Sequence, residues 1–443
     1  MNKDILLDLI AAREFRAVRS IMNVMNAVDI ASLLSELSDK ELAVVFRLIP
    51  KEKAAYVFSE MGHSAQSILV EMFTDTELQW ILDNLYMDDT VDLLEDLPAN
   101  LVSRILETVQ PEKRAQINKL LNYPEDSAGS IMTMEYVDLR RQTTVAQALA
   151  HIKAVGIHKE TIYTCYILDE RKLAGIVTAK DLLTADDGKT MEELMETEII
   201  SVSTHTDQEE VANLFKKYNF LAIPVLDADQ RMVGIVTVDD ALDVMVDEVT
   251  EDMSIMGAIT PHDETYFETS VWEHAKHRIP WLFFLMLSAS ITGVIISKYE
   301  EAFTVVPLLV SFIPMLMDTG GNCGSQSSTL VIRGLALDEI HFSQLFKVIF
   351  KEFRIALIVG LVLSVTNGAR IFIMYRSLPI ALVVAGSLAA TIVLSKMIGC
   401  TLPLLAQKIR LDPAVMAAPL ITTVVDTCSI IIYFNIATSI LPI

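Results

Sequence analysis

Leucine, isoleucine and valine recur every three to four positions up to about residue 128, and the rhythm then changes three times along the chain. In "SELSDKELAVVFRLIPKEKAAYVFSEM" (35–61) and "LDNLYMDDTVDLLEDLPANLVSRILETV" (82–109) the spacing predicts short amphipathic helices, divided at Ile49-Pro50 and Leu97-Pro98. The two stretches resemble each other, which suits stacked helical pairs of the α-solenoid kind, and an ordinary helical bundle fits equally well. Short alternating strands follow. "IYTCYILDERKLAGIVTAKDLL" (162–183) and "FLAIPVLDADQRMVGIVTVDDAL" (220–242) each read as strand, polar turn, strand and helix, and Gly175, Thr178 and Asp181 recur as Gly234, Thr237 and Asp240. Matching prefaces precede them, "IMTMEYVDLRRQTTVAQALAHIK" and "LMETEIISVSTHTDQEEVANLFKKY". Residues 238–259, "VDDALDVMVDEVTEDMSIMGAI", then read as one helix with Leu242, Met245, Val249 and Met256 as an apolar stripe among acids. Beyond Pro280 come five long apolar runs: Trp281–Ser297, Phe303–Leu330, Val348–Ile373, Ile380–Leu405 and Ala414–Leu441. Most exceed the roughly 20 residues that cross a bilayer as a helix.

Charge divides the chain at the same place. Residues 1–280 hold 50 acids and 25 Lys or Arg, and the remainder holds 8 acids and 10 Lys or Arg. A soluble segment this negative repels nucleic acid and attracts cations. The opening "MNKDILLDLIAAREFRAV" has no apolar core of a secretory signal, so the soluble segment is expected in the cytoplasm. Lysines and arginines are in modest excess in the loops this puts inside, and an odd number of spans places the C-terminus outside. Four scattered cysteines (165, 323, 400, 428) make neither a zinc site nor a disulfide framework. Walker A, GxGxxG and HExxH patterns are missing, which argues against an enzyme. His274 and His277 share a helix face but are two ligands only.

The paired repeat resembles a CBS domain pair over about 120 residues. That resemblance implies one compact α/β unit that binds an adenine nucleotide or metal ions as regulators, with Asp181, Phe220, Thr237 and Asp240 as the contacts of a nucleotide. After it, residues 232–275 hold 11 acids and no Lys or Arg. Like charges at i, i+4 destabilise a helix, so these acids are either simply solvated or bridged by divalent cations.

The apolar runs hold two acids, Asp318 and Asp426, that no loop accounts for. Asp426 lies in "AAPLITTVVDTCSIIIYFNIA", 13 residues after Pro413 and so about 20 Å into a helix begun there. A carboxylate at mid-membrane costs roughly 2.5–3.5 kcal/mol, and its run has no Lys or Arg. Either it is protonated, or a mobile cation is its partner, or it is a hydrogen-bonded structural acid. Two copies across a dimer axis would match one Mg²⁺, which keeps its waters and takes one or two carboxylates. Asn322, Thr422, Thr423 and carbonyls freed by a break at Gly320-Gly321 would hold those waters, so "SFIPMLMDTGGNCGSQSST" is expected to line a hydrated path.

The order of these segments, with "GGNCGSQSSTLVIRGLAL" and "LDPAVMAAPLITTVVD", resembles the MgtE family of magnesium channels over essentially the whole chain. The resemblance implies a multidomain protein: a superhelical N-domain (1–128), two CBS domains (129–192 and 193–250), an acidic plug helix (239–275) and an all-α membrane domain of five helices (276–443). It implies a homodimer in the plasma (inner) membrane that imports Mg²⁺ and is shut by intracellular Mg²⁺. It puts the central pore carboxylate at Asp426 and another acid at the cytoplasmic mouth, Asp412. Regulatory acids fall at Asp88, Asp92, Glu209, Asp240, Asp243, Glu248, Glu251 and Asp252, and ATP is the candidate nucleotide. Two positions depart from the family pattern: Asn219, where an acid is frequent, and Ser429, where glycine is. An ion-coupled exchanger for Mn²⁺ or Co²⁺, or a membrane sensor that conducts nothing, are the alternatives.

Overall fold

The computed structural model describes residues 3–95, 97–262, 266–267, 269–299, 304–337 and 339–441. Glu300, Glu301 and Asp338, expected in loops, and Phe303, expected to open the second span, lie outside the described residues. The chain divides into two compact units, Met1–Val246 and Asp247–Ile443.

In the first unit, ten short helices run between Lys3 and Leu120 among the described residues. Several begin with capping boxes, as at Ser38–Glu41 and Thr74–Glu77, where side chain and backbone satisfy each other's end groups. Packing is next-but-one: Ala27–Leu34 on Lys51–Ser59, Asp39–Phe46 on His63–Met72, and Lys51–Ser59 on Asp75–Asn84. That is a stacked array rather than a closed bundle. Cations secure it by capping helix carbonyls about one repeat back. Lys53 Nζ donates to the carbonyls of Asn23 and Met25 at 2.8 and 2.7 Å, and Arg104 donates to those of Val70 and Phe73 at 2.6 Å each. The helix Met87–Glu95, α1, carries Asp88 and Asp89 in its first turn.

Two three-stranded sheets follow, β1 (Val137–Leu139), β2 (Thr164–Asp169) and β3 (Lys172–Thr178), then β4 (Val202–Ser203), β5 (Ala222–Leu226) and β6 (Met232–Thr237). In each the first pair is parallel and the second antiparallel, and the antiparallel pair is the expected strand, turn and strand of each copy. The two copies exchange backbone: Thr133, ahead of the first, bridges Ile235 on β6, and Glu196, ahead of the second, bridges Ile176 on β3. This crossing explains the repeated glycine. A Cβ on Gly175 would sit 2.7 Å from Met195 Cβ, and one on Gly234 2.7 Å from the Thr133 carbonyl oxygen. The repeated Thr-x-x-Asp is a hydrogen-bonded unit too: Thr178 caps the next helix against Asp181, and Thr237 Oγ1 donates to Asp240. One apolar core runs from the helical array into the second copy, from Leu6 to Ala241.

Gln208–Tyr218 is α2, ended by Asn219 in the left-handed conformation (φ 55°) that asparagine adopts readily. The acidic helix α3 spans Val238–Met256. It stops well before residue 275, because Gly257 is followed by Ala258 at φ 55°, and a new helix is capped by Ser270. Its buried residues are Ala241 and Val244, with Met245 against the core, whereas Leu242 and Val249 of the expected stripe are exposed.

The second unit contains five long helices among its described residues: α4 (Val271–Ser297), α5 (Ile313–Ala336), α6 (Leu345–Tyr375), α7 (Leu378–Lys408) and α8 (Ala418–Ile440). The runs Val271–Ser297, Leu378–Lys408 and Pro413–Ile440 are long and apolar enough to cross a membrane. Helix α7 packs on α5, α6 and α8, while α8 also receives α5 and α4.

Candidate functional site

Asp426 is half-buried on α8, close to the centre of the run Pro413–Ile440. That run is not one helix. Asp412 accepts the Ala414 N–H at 2.7 Å and caps a separate 3-10 turn, Pro413–Met416, after which Ala417 is extended and α8 begins. Asp426 is therefore about two turns, not about 20 Å, into its own helix.

The expected break at Gly320-Gly321 is also relocated. Helix α5 runs through both glycines, and the irregular stretch is the 3-10 turn Pro307–Phe312 before it. The glycines serve packing instead of freeing carbonyls. A Cβ on Gly321 would lie 2.8 Å from Thr422 Cγ2, on Gly324 2.7 Å from Ile421 Cγ2, and on Gly320 2.7 Å from Thr391 Cγ2 and 3.0 Å from Ser429 Oγ. Ser429 is buried, and its hydroxyl donates to the Val425 carbonyl at 2.6 Å. The close approach that a glycine at this position would give is thus kept by Gly320 opposite.

With that face of α5 against α7 and α8, Asp318, Asn322 and Gln326 are left exposed, one helical turn apart. The charge of Asp318 reaches Asp426, so the two acids of the apolar runs share one neighbourhood. Thr422 and Thr423 both donate to the Pro419 carbonyl, at 2.9 and 3.0 Å. Their protons are committed to the helix, so their oxygens keep only acceptor capacity, which is what waters on a cation require.

Two acidic groupings lie outside these helices. In the second unit Asp252 is pushed up to about 6, by burial first and then by Asp412 and Glu248. The end of α3 and the Asp412 turn thus share a field. Glu248 is half-buried and Glu251 exposed. In the first unit Asp88 is only 7% exposed, and burial, then Asp240, Asp89 and Glu160, hold its carboxyl well above the usual range. Burial and Asp240 push Asp89 up to about 7 and Glu160 to about 8. Asp240 itself rises to about 6, through burial opposed by the Thr237 hydrogen bonds. Lys113, which feels Asp88 and Asp89, spends its ammonium on the carbonyls of Leu82 and Leu85. Asp92, Glu209 and Asp243 are exposed. Sequence reasoning missed Asp89 and Glu160. The first stands beside Asp88 and was readable there, whereas the second reaches the cluster only through tertiary packing.

Of the nucleotide candidates, Asp181 and Asp240 are engaged by Thr178 and Thr237 in helix caps, and Phe220 stacks on Tyr218 at 5.4 Å. His274 and His277 gather around His262, with rings 5.5 and 4.9 Å away. Among the described residues no group of three or more His, Cys, Asp or Glu is placed to enclose a metal ion directly.

Residues 313–436 match the family model of a divalent cation transporter, 25–126 that of the MgtE intracellular N domain, and 128–188 and 191–247 each a CBS domain. The magnesium transporter MgtE of Thermus thermophilus is 35% identical over 408 residues, 91% of this chain and 90% of its own. The chain belongs to the MgtE family of magnesium transporters. The MgtE of Bacillus subtilis is 34% identical over 419 residues, 92% of each chain. A crystal structure of the cytosolic domain of the Mg²⁺ channel MgtE in complex with ATP is 36% identical with a TM-score of 0.52, and covers 54% of this chain and 98% of that one. The soluble part of a magnesium transporter, at 29% identity and a TM-score of 0.52, covers 56% of this chain and 97% of its own. These relatives bear out the helical N-domain, the CBS pair and a role in transport rather than catalysis.

Proposed function

We propose that this MgtE chain is a channel that admits Mg²⁺ to the cytoplasm and is closed by intracellular Mg²⁺. The observation that carries this reading is Asp426, a carboxylate amid an apolar run, held where Asp318 is its charged neighbour and where no base among the described residues is paired with it. Two chains about a two-fold axis double that charge and match a hydrated divalent ion. In this reading all five long helices span the plasma (inner) membrane, the N-terminal domains lie in the cytoplasm, and the C-terminus lies outside. Asn322, Thr422 and Thr423 accept hydrogen bonds from the ion's waters, with Gly320 and Gly321 setting the width between α5 and α8. Asp412 stands at the cytoplasmic mouth.

Closure follows from the acids gathered on α3, at the Asp412 turn and around Asp88. Mg²⁺ between Asp412 and the Glu248, Glu251 and Asp252 of α3 draws that helix to the mouth. Further ions at Asp88, Asp89, Asp92, Glu160, Glu209, Asp240 and Asp243 compact the cytoplasmic domains. The CBS pair takes ATP, as its relative's cytosolic domain does. Uptake of Mg²⁺ into liposomes by the wild type and by Asp426→Ala tests the ion path. Loss of uptake in a folded, inserted variant is expected, and undiminished uptake would refute the assignment.

A further inference from the structure

One charged pair in the second unit has no part in the ion path described above. Glu352 on α6 and Lys396 on α7 are 7% and 5% exposed, and their N···O separation is 3.6 Å. The fully buried Ser327 of α5 joins them. Its Oγ donates to Glu352 Oε2 at 2.7 Å and accepts from Lys396 Nζ at 3.1 Å. Burying two opposite charges is unfavourable unless geometry and hydrogen bonds compensate, and here the bridging hydroxyl is the link to a third helix. Ser327 follows Asp318 by about two and a half turns, so it lies on the face of α5 opposite to Asp318 and Asn322. One turn before it, Gly324 meets Gly399 of α7 backbone to backbone.

We infer that Ser327, Glu352 and Lys396 are positioning residues, a buried charged clamp that sets the rotation of α5 and thereby presents Asp318 and Asn322 to the permeating ion. The inference rests on the proposed ion path. Apolar contacts are non-directional, whereas a hydroxyl held between two charges fixes both the height and the rotation of the helix that carries it. The pair is also neutral as a whole, so it adds no net charge behind a cation path. Either charge alone would both free α5 and alter the field.

The test uses the full chain in liposomes, with the four native cysteines replaced by alanine and Asn322→Cys as a reporter for a membrane-impermeant thiol reagent. In Ser327→Ala, Glu352→Gln and Lys396→Met, labelling of the reporter changes about fivefold or more. In chains with the native Asn322, half-saturating Mg²⁺ and the Ca²⁺-to-Mg²⁺ uptake ratio change by a similar factor. The double variant Glu352→Gln/Lys396→Met moves each readout back toward wild type. A merely stabilising clamp would lower the amount of folded protein but leave labelling per folded chain, half-saturation and ion ratio unaltered, and that result would overturn the inference. Ser327→Ala, the mildest change, decides the matter if the charge variants fail to fold. If the wild type carries no Mg²⁺, the transport reading fails by itself and the labelling still judges the clamp.

Discussion

The acid cluster of the first unit and the Glu352–Lys396 pair of the second bury carboxylates in opposite ways. Glu352 has a lysine of the chain at 3.6 Å and a serine between them, so its charge is settled within the fold. Burial raises the proton affinity of Asp88, Asp89, Glu160 and Asp240, the charge of Asp240 adds to it at the first three, and the nearby Lys113 is turned to backbone carbonyls. A carboxylate with its own base builds structure. In the proposed function one with no base beside it among the described residues takes up a proton or an ion from outside, and that distinction separates Asp426 from Glu352 inside the apolar helices.

The largest expected effect concerns Asp426 in the proposed ion path. With the proposed ion path, removing this carboxylate leaves nothing to offset the ion's transfer into the low-dielectric region and lowers Mg²⁺ uptake about a hundredfold or more. Asp426→Ala in liposomes measures it, and uptake within a factor of two of wild type would erase the contrast with Glu352. Next comes packing: Gly399→Val drives a side chain against the Gly324 carbonyl and forces α5 from α7, costing about 2 kcal/mol. Thermal unfolding in detergent reads that loss, and an unchanged midpoint would mean the helices are not in close contact.

The third effect is a dependence on pH. Asp89, Glu160 and Asp240 have folded values of about 7, 8 and 6, above the roughly 4 of exposed carboxyls, so the folded state binds more protons between these limits. Their contribution is whole below about pH 4 and is lost as pH rises through 6 to 8. Without divalent ions, the unfolding temperature of the soluble segment should fall from pH 5 to pH 8. Millimolar Mg²⁺ should restore it at pH 8 and do little at pH 5, whereas a flat profile would show that these acids are solvated. The smallest effect belongs to the repeat. Thr178→Ala removes a capping box, costs about 1 kcal/mol and leaves uptake unchanged.

The sequence made some of this contrast visible. Gly175 and Gly234, Thr178 and Thr237, and Asp181 and Asp240 were readable as a repeat because local geometry, a strand crossing and a helix cap, demands the same residue twice. Asp426 was readable because a carboxylate in an apolar run is conspicuous. Lys396 was equally conspicuous, yet its partners are 44 and 69 residues away on other helices and no spacing rule joins them. Glu160 was hidden for the same reason. Gly320-Gly321 misled in the other direction: glycines in a helix read as a break, but contact with Thr391 and Thr422 keeps that helix straight through them. The end of α3 at Met256 depended on a left-handed Ala258, which composition does not signal.

The central claim, that the acids of the chain both carry Mg²⁺ and answer to it, is tested most directly by one flux measurement. Mg²⁺ uptake into liposomes is followed while the Mg²⁺ bathing the cytoplasmic domains is raised through the millimolar range, with NaCl at matched ionic strength as the control. Wild-type uptake should shut off as that Mg²⁺ rises, the chain neutralised at Glu248, Glu251 and Asp252 should stay open at levels that close the wild type, and NaCl should close neither. Closure by NaCl alone, or normal closure of the neutralised chain, would contradict the account.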